Sequence, residues 1–144
     1  HALRVQADHG QVLPGNAPGH RDSWGIGWFD DARQVSLVRQ TGSAIDSAYY
    51  VFGAESAARA RPAVLIGHLR KAVSGAVTTD NAHPIRVDTE HAGPFLLAHN
   101  GHVREPLLAS LRADLDDAGD RSGARADCDT VVLAHWLAAR IDPG

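Results

Sequence analysis

Residues 24–29 read Trp-Gly-Ile-Gly-Trp-Phe, and this segment predicts a β-strand whose glycines let another backbone approach closely. Asp30 and Asp31 follow it and fit a turn. Residues 34–39 predict a second strand, which completes a hairpin with the first. Since the strands of a hairpin run antiparallel, this segment indicates a sheet built from antiparallel pairs.

Two short apolar runs predict further strands. Residues 63–66 favour a strand covered on both faces, and residues 95–98 favour another buried strand. Loops are predicted over residues 9–19, which are rich in glycine, proline and asparagine, and over residues 73–84. A turn is predicted at residues 90–93.

Three helices complete the predicted elements. Asp46 is the expected N-cap of the first, and leucines between residues 107 and 115 follow the spacing of the second. A polar loop is predicted from Asp116 to Ala126. Asp127 or Asp129 is expected to cap the third helix, which ends before Pro143. Strand pairs followed by helices favour an α+β fold with a largely antiparallel sheet.

Composition narrows the class of protein. A length of 144 residues suits a single domain spanning 1–144. The net charge of -3 gives no basic footprint for nucleic acid. No apolar run approaches the roughly 20 residues of a membrane-spanning helix, so no membrane partner is expected. Cys128 is the only cysteine, which favours a reducing, cytoplasmic setting.

The sequence opens at His1 and contains no methionine. We therefore expect that an N-terminal segment of the natural protein is absent from it.

Arg70 is the first candidate for a functional residue, because it follows the predicted strand at residues 63–66 by a few positions. An arginine at a strand end can bind a carboxylate through two parallel hydrogen bonds. The alternative is a surface arginine whose aliphatic part packs on the sheet.

Asn100 and Gly101 follow the other buried strand. An asparagine amide and a glycine backbone N–H together can form an oxyanion hole, which stabilises the intermediate of acyl transfer. The alternative is an ordinary Asn-Gly hairpin turn.

His83 precedes Pro84, which favours an extended backbone there. His68 is expected to be a core histidine. Asp129 is most simply a helix cap, although a cap carboxylate that faces a pocket can also bind a ligand ammonium group.

The nine histidines raise the question of a metal site: His99 and His102 are three residues apart, and His68, His83 and Asp129 could join them. No His-Glu-x-x-His or paired-cysteine spacing occurs, so neither a metal nor another cofactor is predicted. Cys128 is expected to be a small packing residue.

Taken together, the motifs resemble those of class II glutamine amidotransferases, which are N-terminal-nucleophile hydrolases. Five segments carry the resemblance in the family's order: residues 21–26 (Arg-Asp-Ser-Trp-Gly-Ile), 68–72 (His-Leu-Arg-Lys-Ala), 81–84 (Asn-Ala-His-Pro), 98–101 (Ala-His-Asn-Gly) and 129–130 (Asp-Thr). The chain is most similar to small, stand-alone bacterial members.

The resemblance implies two stacked, mostly antiparallel sheets between helical layers, the αββα fold, which we expect to be incomplete here. It implies that an N-terminal cysteine attacks the side-chain amide of glutamine, with its own α-amino group as the base. No cysteine stands at the start of this chain, so the chain as given is expected to be inactive.

The resemblance also assigns roles to residues. Arg70 would bind the α-carboxylate of glutamine and Asp129 its α-ammonium group, while Asn100 and Gly101 would form the oxyanion hole. Ser74 falls where other members place substrate-contacting polar groups. His83 matches a motif position beside the site and is counted with the substrate-binding residues.

Three functions remain open from the sequence. The first is hydrolysis of glutamine or another γ-glutamyl amide, with a possible ammonia-accepting synthase as partner. The second is a pseudoenzyme module that binds glutamine or glutamate without turnover. The third is a metal-dependent hydrolase that uses the histidines.

Overall fold

A computed structural model describes residues 2–12 and 14–142. The chain forms two compact units. The first comprises the residues up to Val73 together with Val77–Pro84, and the second comprises Ser74–Ala76 together with the residues from Ile85 onward.

The first unit contains a three-stranded antiparallel sheet and two helices. Its elements are α1 (Ala2–His9), β1 (Ser23–Phe29), β2 (Val35–Thr41), α2 (Ala48–Ala60) and β3 (Leu65–Arg70). The strand order is β2-β1-β3, which places the glycine-containing strand at the centre. Gly25 is paired with Arg39 on one side and with His68 on the other.

The two faces of this sheet differ because successive side chains on a strand point to opposite sides. Trp24, Ile26 and Trp28 share one face and belong to a buried core with Tyr50 and Ala57 of α2. The Trp24 and Tyr50 rings meet edge to face, with centroids 5.4 Å apart. The opposite face carries the buried polar residues Ser23, His68 and Arg70.

The second unit pairs a two-stranded antiparallel sheet with three helices. Its elements are β4 (Ile85–Asp88), β5 (Pro94–Leu97), α3 (Leu107–Asp117), α4 (Arg121–Ala124) and α5 (Asp129–Ile141). The three helices pack around a second apolar core formed by Val103, Leu111, Leu115, Ala124 and Val132.

These elements confirm the predicted α+β class with antiparallel sheets. The hairpin is confirmed: the turn between β1 and β2 is closed by hydrogen bonds between Asp30 and Gln34. The helices predicted near residues 107–115 and after residue 129 are also present. The single domain and the stacking of the two sheets stay predictions.

Several local expectations were wrong. The N-cap of α2 is Ser47, one residue after Asp46, and its hydroxyl accepts a hydrogen bond from the N–H of Tyr50. The strand predicted at residues 63–66 begins only at Leu65, and Val64 and Leu65 are 60% and 47% exposed. The apolar run is therefore not covered on both faces, and burial begins at His68.

The start of α5 and the loop before it also differ from the predicted elements. The N-cap of α5 is Cys128, so neither Asp127 nor Asp129 holds that position, and Asp129 is the first helical residue. The short α4 interrupts the predicted loop from Asp116 to Ala126. Helix α5 ends at Ile141, and Pro143 lies outside the described residues.

Helix α1 and strand β4 were not predicted. Within the described residues, no helix combines the length and apolar character needed to cross a membrane.

Candidate functional site

Arg70 is the last residue of β3, and it is only 5% exposed. Its carbonyl accepts a hydrogen bond from the N–H of Asp22, just before β1. The carboxylate of Asp22 in turn accepts from the N–H of Ala72 at 2.7 Å. These bonds hold the backbone on both sides of Arg70. The alternative of a surface arginine is wrong because the residue is buried.

Ser23 lies opposite Arg70 in the register of β1 and β3. Its hydroxyl is fully buried, and no residue of the described chain forms a hydrogen bond with it. Buried hydroxyl groups nearly always have a partner, so this position can take a hydrogen bond from a water molecule or a ligand beside Arg70.

His83 is brought to the same sheet face by the segment that precedes Pro84. Its ring is 4% exposed and contacts that of His68, with centroids 4.4 Å apart and Nδ1 of His83 3.3 Å from Nε2 of His68. The prediction of a buried His68 is confirmed, and its ring contacts that of His83.

Gly25 permits this approach. A Cβ atom at residue 25 would lie 2.3 Å from the carbonyl oxygen of His83, a distance that real Cβ atoms essentially never show. The glycine signal read from the sequence therefore had the expected physical cause, a close approach of another backbone.

We predict that Gly25→Ala lowers the free energy of unfolding by about 1–3 kcal/mol, because the new methyl group meets backbone that cannot rotate away. Chemical denaturation followed by circular dichroism measures this change. Gly53→Ala is the control, since its Cβ would meet only the side chain of Val38, at 3.3 Å. A loss in Gly53→Ala as large as that in Gly25→Ala would contradict the explanation.

Asp129 is a carboxylate of the second unit that accepts several hydrogen bonds, and it is 4% exposed. Its Oδ2 accepts from the N–H of Val103 at 2.7 Å and lies 3.0 Å from Nδ1 of His102. Its Oδ1 accepts from the hydroxyl of Ser74 at 3.2 Å and from the N–H of Thr130 at 2.9 Å.

Burial on its own would raise the pKa of Asp129. The hydrogen bonds from Val103, Ser74 and Thr130, together with the charge of His102, outweigh burial and hold the pKa below its ordinary value. The carboxylate is therefore ionised throughout the neutral pH range, as binding of an ammonium group requires.

Ser74 belongs to a short segment that two carboxylates hold. Its hydroxyl donates to Asp129, and the N–H of Ala76 donates to Oδ2 of Asp127 at 2.8 Å. Asp127 was expected only as a possible helix cap. Its bond to a residue 51 positions away could not have been read from local sequence.

Asn100 and Gly101 follow β5 and are exposed. Gly101 has φ +147°, a conformation that glycine tolerates and other residues rarely adopt. In the described part of the chain this pair does not join two paired strands, so the hairpin-turn alternative is wrong. The loop continues to Val103, whose N–H is bonded to Asp129.

The structure thus associates the predicted residues in two groups. Arg70 and His83 belong to the polar sheet face of the first unit. Asp129 and Ser74 are in direct contact in the second unit, and the loop of Asn100 and Gly101 leads into the Val103 bond.

The histidines weighed as metal ligands have other contacts. Nδ1 of His99 lies 3.2 Å from the hydroxyl of Thr130, and His102 contacts Asp129. Among residues 2–12 and 14–142, no group of three or more His, Cys, Asp or Glu side chains could hold a metal ion.

Comparison with known proteins identifies the family. The family of class-II glutamine amidotransferases matches residues 10–131. A glutamine–fructose-6-phosphate aminotransferase (isomerizing) of Aquifex aeolicus is 30% identical over 117 residues, which are 81% of this chain and 18% of that protein. The enzyme of the same name from Thermus thermophilus is 43% identical over 72 residues, 50% of this chain and 11% of that protein.

A third relative, from Mycolicibacterium smegmatis and of the same name, is 38% identical over 79 residues, covering 55% of this chain and 12% of that protein. The chain thus matches less than a fifth of the length of each of these relatives. Since the family match spans most of the sequence, the chain belongs to the class-II glutamine amidotransferases.

Proposed function

We propose that this chain binds L-glutamine, or a related γ-glutamyl amide, and forms the part of an amidotransferase that hydrolyses it. The observation that carries the proposal is the Asp129 carboxylate, which is buried, kept ionised and oriented by hydrogen bonds to both oxygens. A fixed anion of this kind suits the α-ammonium group of an amino acid.

The remaining roles are assigned from the motif resemblance and agree with the chemistry of each group. Arg70 binds the α-carboxylate through its guanidinium, and Ser74 and His83 line the substrate-binding site. Asn100 and Gly101 donate hydrogen bonds to the oxyanion that forms when the amide carbon is attacked. Gly101 is suited to this because it has no side chain to block its backbone N–H.

In the proposed reaction, the thiol of an N-terminal cysteine that is not among the 144 residues attacks the side-chain amide of glutamine. Its α-amino group takes the thiol proton and delivers it to the leaving nitrogen, so ammonia departs and a thioester forms. Water then cleaves the thioester to release glutamate and restore the thiol. The ammonia passes to an acceptor in a synthase partner.

Cys128 is a poor candidate for the nucleophile. It is 1% exposed, its thiol donates to Oδ1 of Asp129 at 3.8 Å, and it lies at the N-cap of α5. A thiol this deeply buried is not accessible to a substrate amide.

Isothermal titration calorimetry of L-glutamine, with D-glutamine as the matched control, tests the proposal. We expect saturable binding of the L enantiomer and much weaker binding of the D enantiomer. We further expect that Cys128→Ala keeps the affinity within about twofold, because no contact of the thiol with ligand is proposed. Absence of L-glutamine binding would refute the proposed function.

A glutaminase assay on the protein with its N-terminal cysteine separates the enzyme from the pseudoenzyme alternative. Release of glutamate that persists in Cys128→Ala supports the enzyme. Binding without release of glutamate would favour the pseudoenzyme.

A further inference from the structure

Residues 80–84 of the first unit lie over the polar sheet face, and one arginine bonds to this segment at two points. Nη1 of Arg39 donates to the carbonyl oxygen of Asp80 at 3.3 Å and to that of Ala82 at 3.1 Å. We propose that Arg39 is a positioning residue, which holds this segment so that the His83 imidazole keeps one orientation beside Arg70.

The residues that hold His83 in place form one row across the three strands of the sheet. Arg39 of β2, Gly25 of β1 and His68 of β3 are direct neighbours in the register of the sheet. We call this set the Arg39–Gly25–His68 row. Arg39 holds the segment by its carbonyls, Gly25 leaves space for the carbonyl of His83, and His68 contacts the His83 ring.

The row connects to the proposed substrate site through β3. His68 and Arg70 are two residues apart on the same strand, and both are buried, so they share one face of the sheet. An ordered segment at residues 80–84 therefore fixes the imidazole next to the group proposed to bind the α-carboxylate.

Two features make Arg39 suited to this task. Its aliphatic part passes Gly25, where a Cβ would lie 3.0 Å from Cγ of Arg39, so the small residue gives the arginine its path across the sheet. Burial lowers the pKa of Arg39 from its ordinary value, while the Asp80 carboxylate acts in the opposite direction. The guanidinium is nevertheless cationic, so its hydrogen bonds to carbonyl groups are charge-assisted, and its partial burial shields them in part from water.

The test compares Arg39→Met, which keeps the aliphatic length and removes the guanidinium, with the wild-type chain. Arg59→Ala is the matched control, because it removes an exposed guanidinium from the same unit. Long-range ¹H–¹⁵N correlation spectra of ¹⁵N-histidine-labelled protein report the ring nitrogens without any ligand. The His68 and His83 signals are assigned from the spectra of His68→Gln and His83→Gln.

We expect the signals of both rings to shift in Arg39→Met and to stay in place in Arg59→Ala. The affinity for L-glutamine, which rests on the proposed function, should fall roughly tenfold in Arg39→Met, because charge-assisted hydrogen bonds to two carbonyls are lost. Arg39→Lys should lie between the wild type and Arg39→Met in both ring signals and affinity for L-glutamine. If Arg39→Met unfolds, Arg39→Lys is the variant that tests the proposal.

Unmoved ring signals in every folded variant at residue 39 would overturn the positioning role. Shifted signals with unchanged L-glutamine affinity would overturn its connection to the site. Failure of the wild-type chain to bind L-glutamine would refute the proposed function, whereas the spectra would still decide whether Arg39 positions His83.

Discussion

Replacing Arg70 by alanine is expected to weaken the binding of L-glutamine by a factor of about 100 or more, because the two charge-assisted hydrogen bonds proposed between its guanidinium and the α-carboxylate are lost. The residue is the buried end of β3, held by backbone bonds to Asp22. Arg70→Lys should also bind poorly, since an ammonium group cannot supply the paired donors of a guanidinium. Calorimetry measures both variants.

Arg86→Ala provides the control for this result. Arg86 is an exposed arginine of β4 that pairs with Asp88 on its own strand. Its removal should leave the affinity unchanged within error. An Arg70→Ala chain that is folded and binds L-glutamine as tightly as the wild type would remove Arg70 from the site.

Asp129→Asn is expected to lower the free energy of unfolding by about 2–4 kcal/mol, in addition to weakening the proposed binding of L-glutamine. Both carboxylate oxygens accept hydrogen bonds from backbone N–H groups, those of Val103 and Thr130. Asparagine offers only one acceptor oxygen, so its NH₂ group must face one of these donors. One buried N–H therefore loses its partner, and two donors are brought together.

The pH dependence of stability provides a second measure of the same contact. The folded pKa of Asp129 lies below its unfolded value, so its contribution is complete above the unfolded pKa of about 4 and is lost as the pH falls through the folded pKa. The wild-type chain should thus lose stability on acidification below about pH 4. Asp129→Asn should lose less over that interval, because this carboxylate no longer titrates.

Asp88→Asn is the matched control for both measurements. Its carboxylate is exposed and pairs with the guanidinium of Arg86, and such surface pairs contribute only about 0–1 kcal/mol. Equal losses of stability in Asp88→Asn and Asp129→Asn would show that the buried hydrogen bonds of Asp129 have no special weight.

The elements predicted well were those with a strong local signal. The β1–β2 hairpin has two strands and a turn that are contiguous in sequence, and α3 and α5 have regular apolar spacing. Strand β4 is four residues long and α4 is a single turn, so neither offers enough periodicity to be recognised. Asp46 and Ser47 are both good N-caps, and only the structure distinguishes neighbours of equal propensity.

In the candidate site, too, residues within sequence motifs were predicted, whereas contacts between distant segments were not. Motif resemblance drew attention to Arg70, Asp129 and His83, and the structure adds how each is held. The contacts of Arg39, Asp127 and His102 were not predicted, because they join segments 27 to 51 residues apart or involve loops without regular structure. Only Gly25 gave advance notice of a long-range contact, since it predicted that another backbone would lie against β1.

The most direct test uses two glutamine analogues, each lacking one of the groups that Arg70 and Asp129 are proposed to bind. 4-Aminobutanamide lacks the α-carboxylate and glutaramic acid lacks the α-ammonium group, and ligand-observed NMR can measure weak binding of both. We predict that Arg70→Lys weakens only glutaramic acid and that Asp129→Asn weakens only 4-aminobutanamide. If each substitution affected both analogues equally, or neither, the assignment of the two charged groups of glutamine to these two residues would be contradicted.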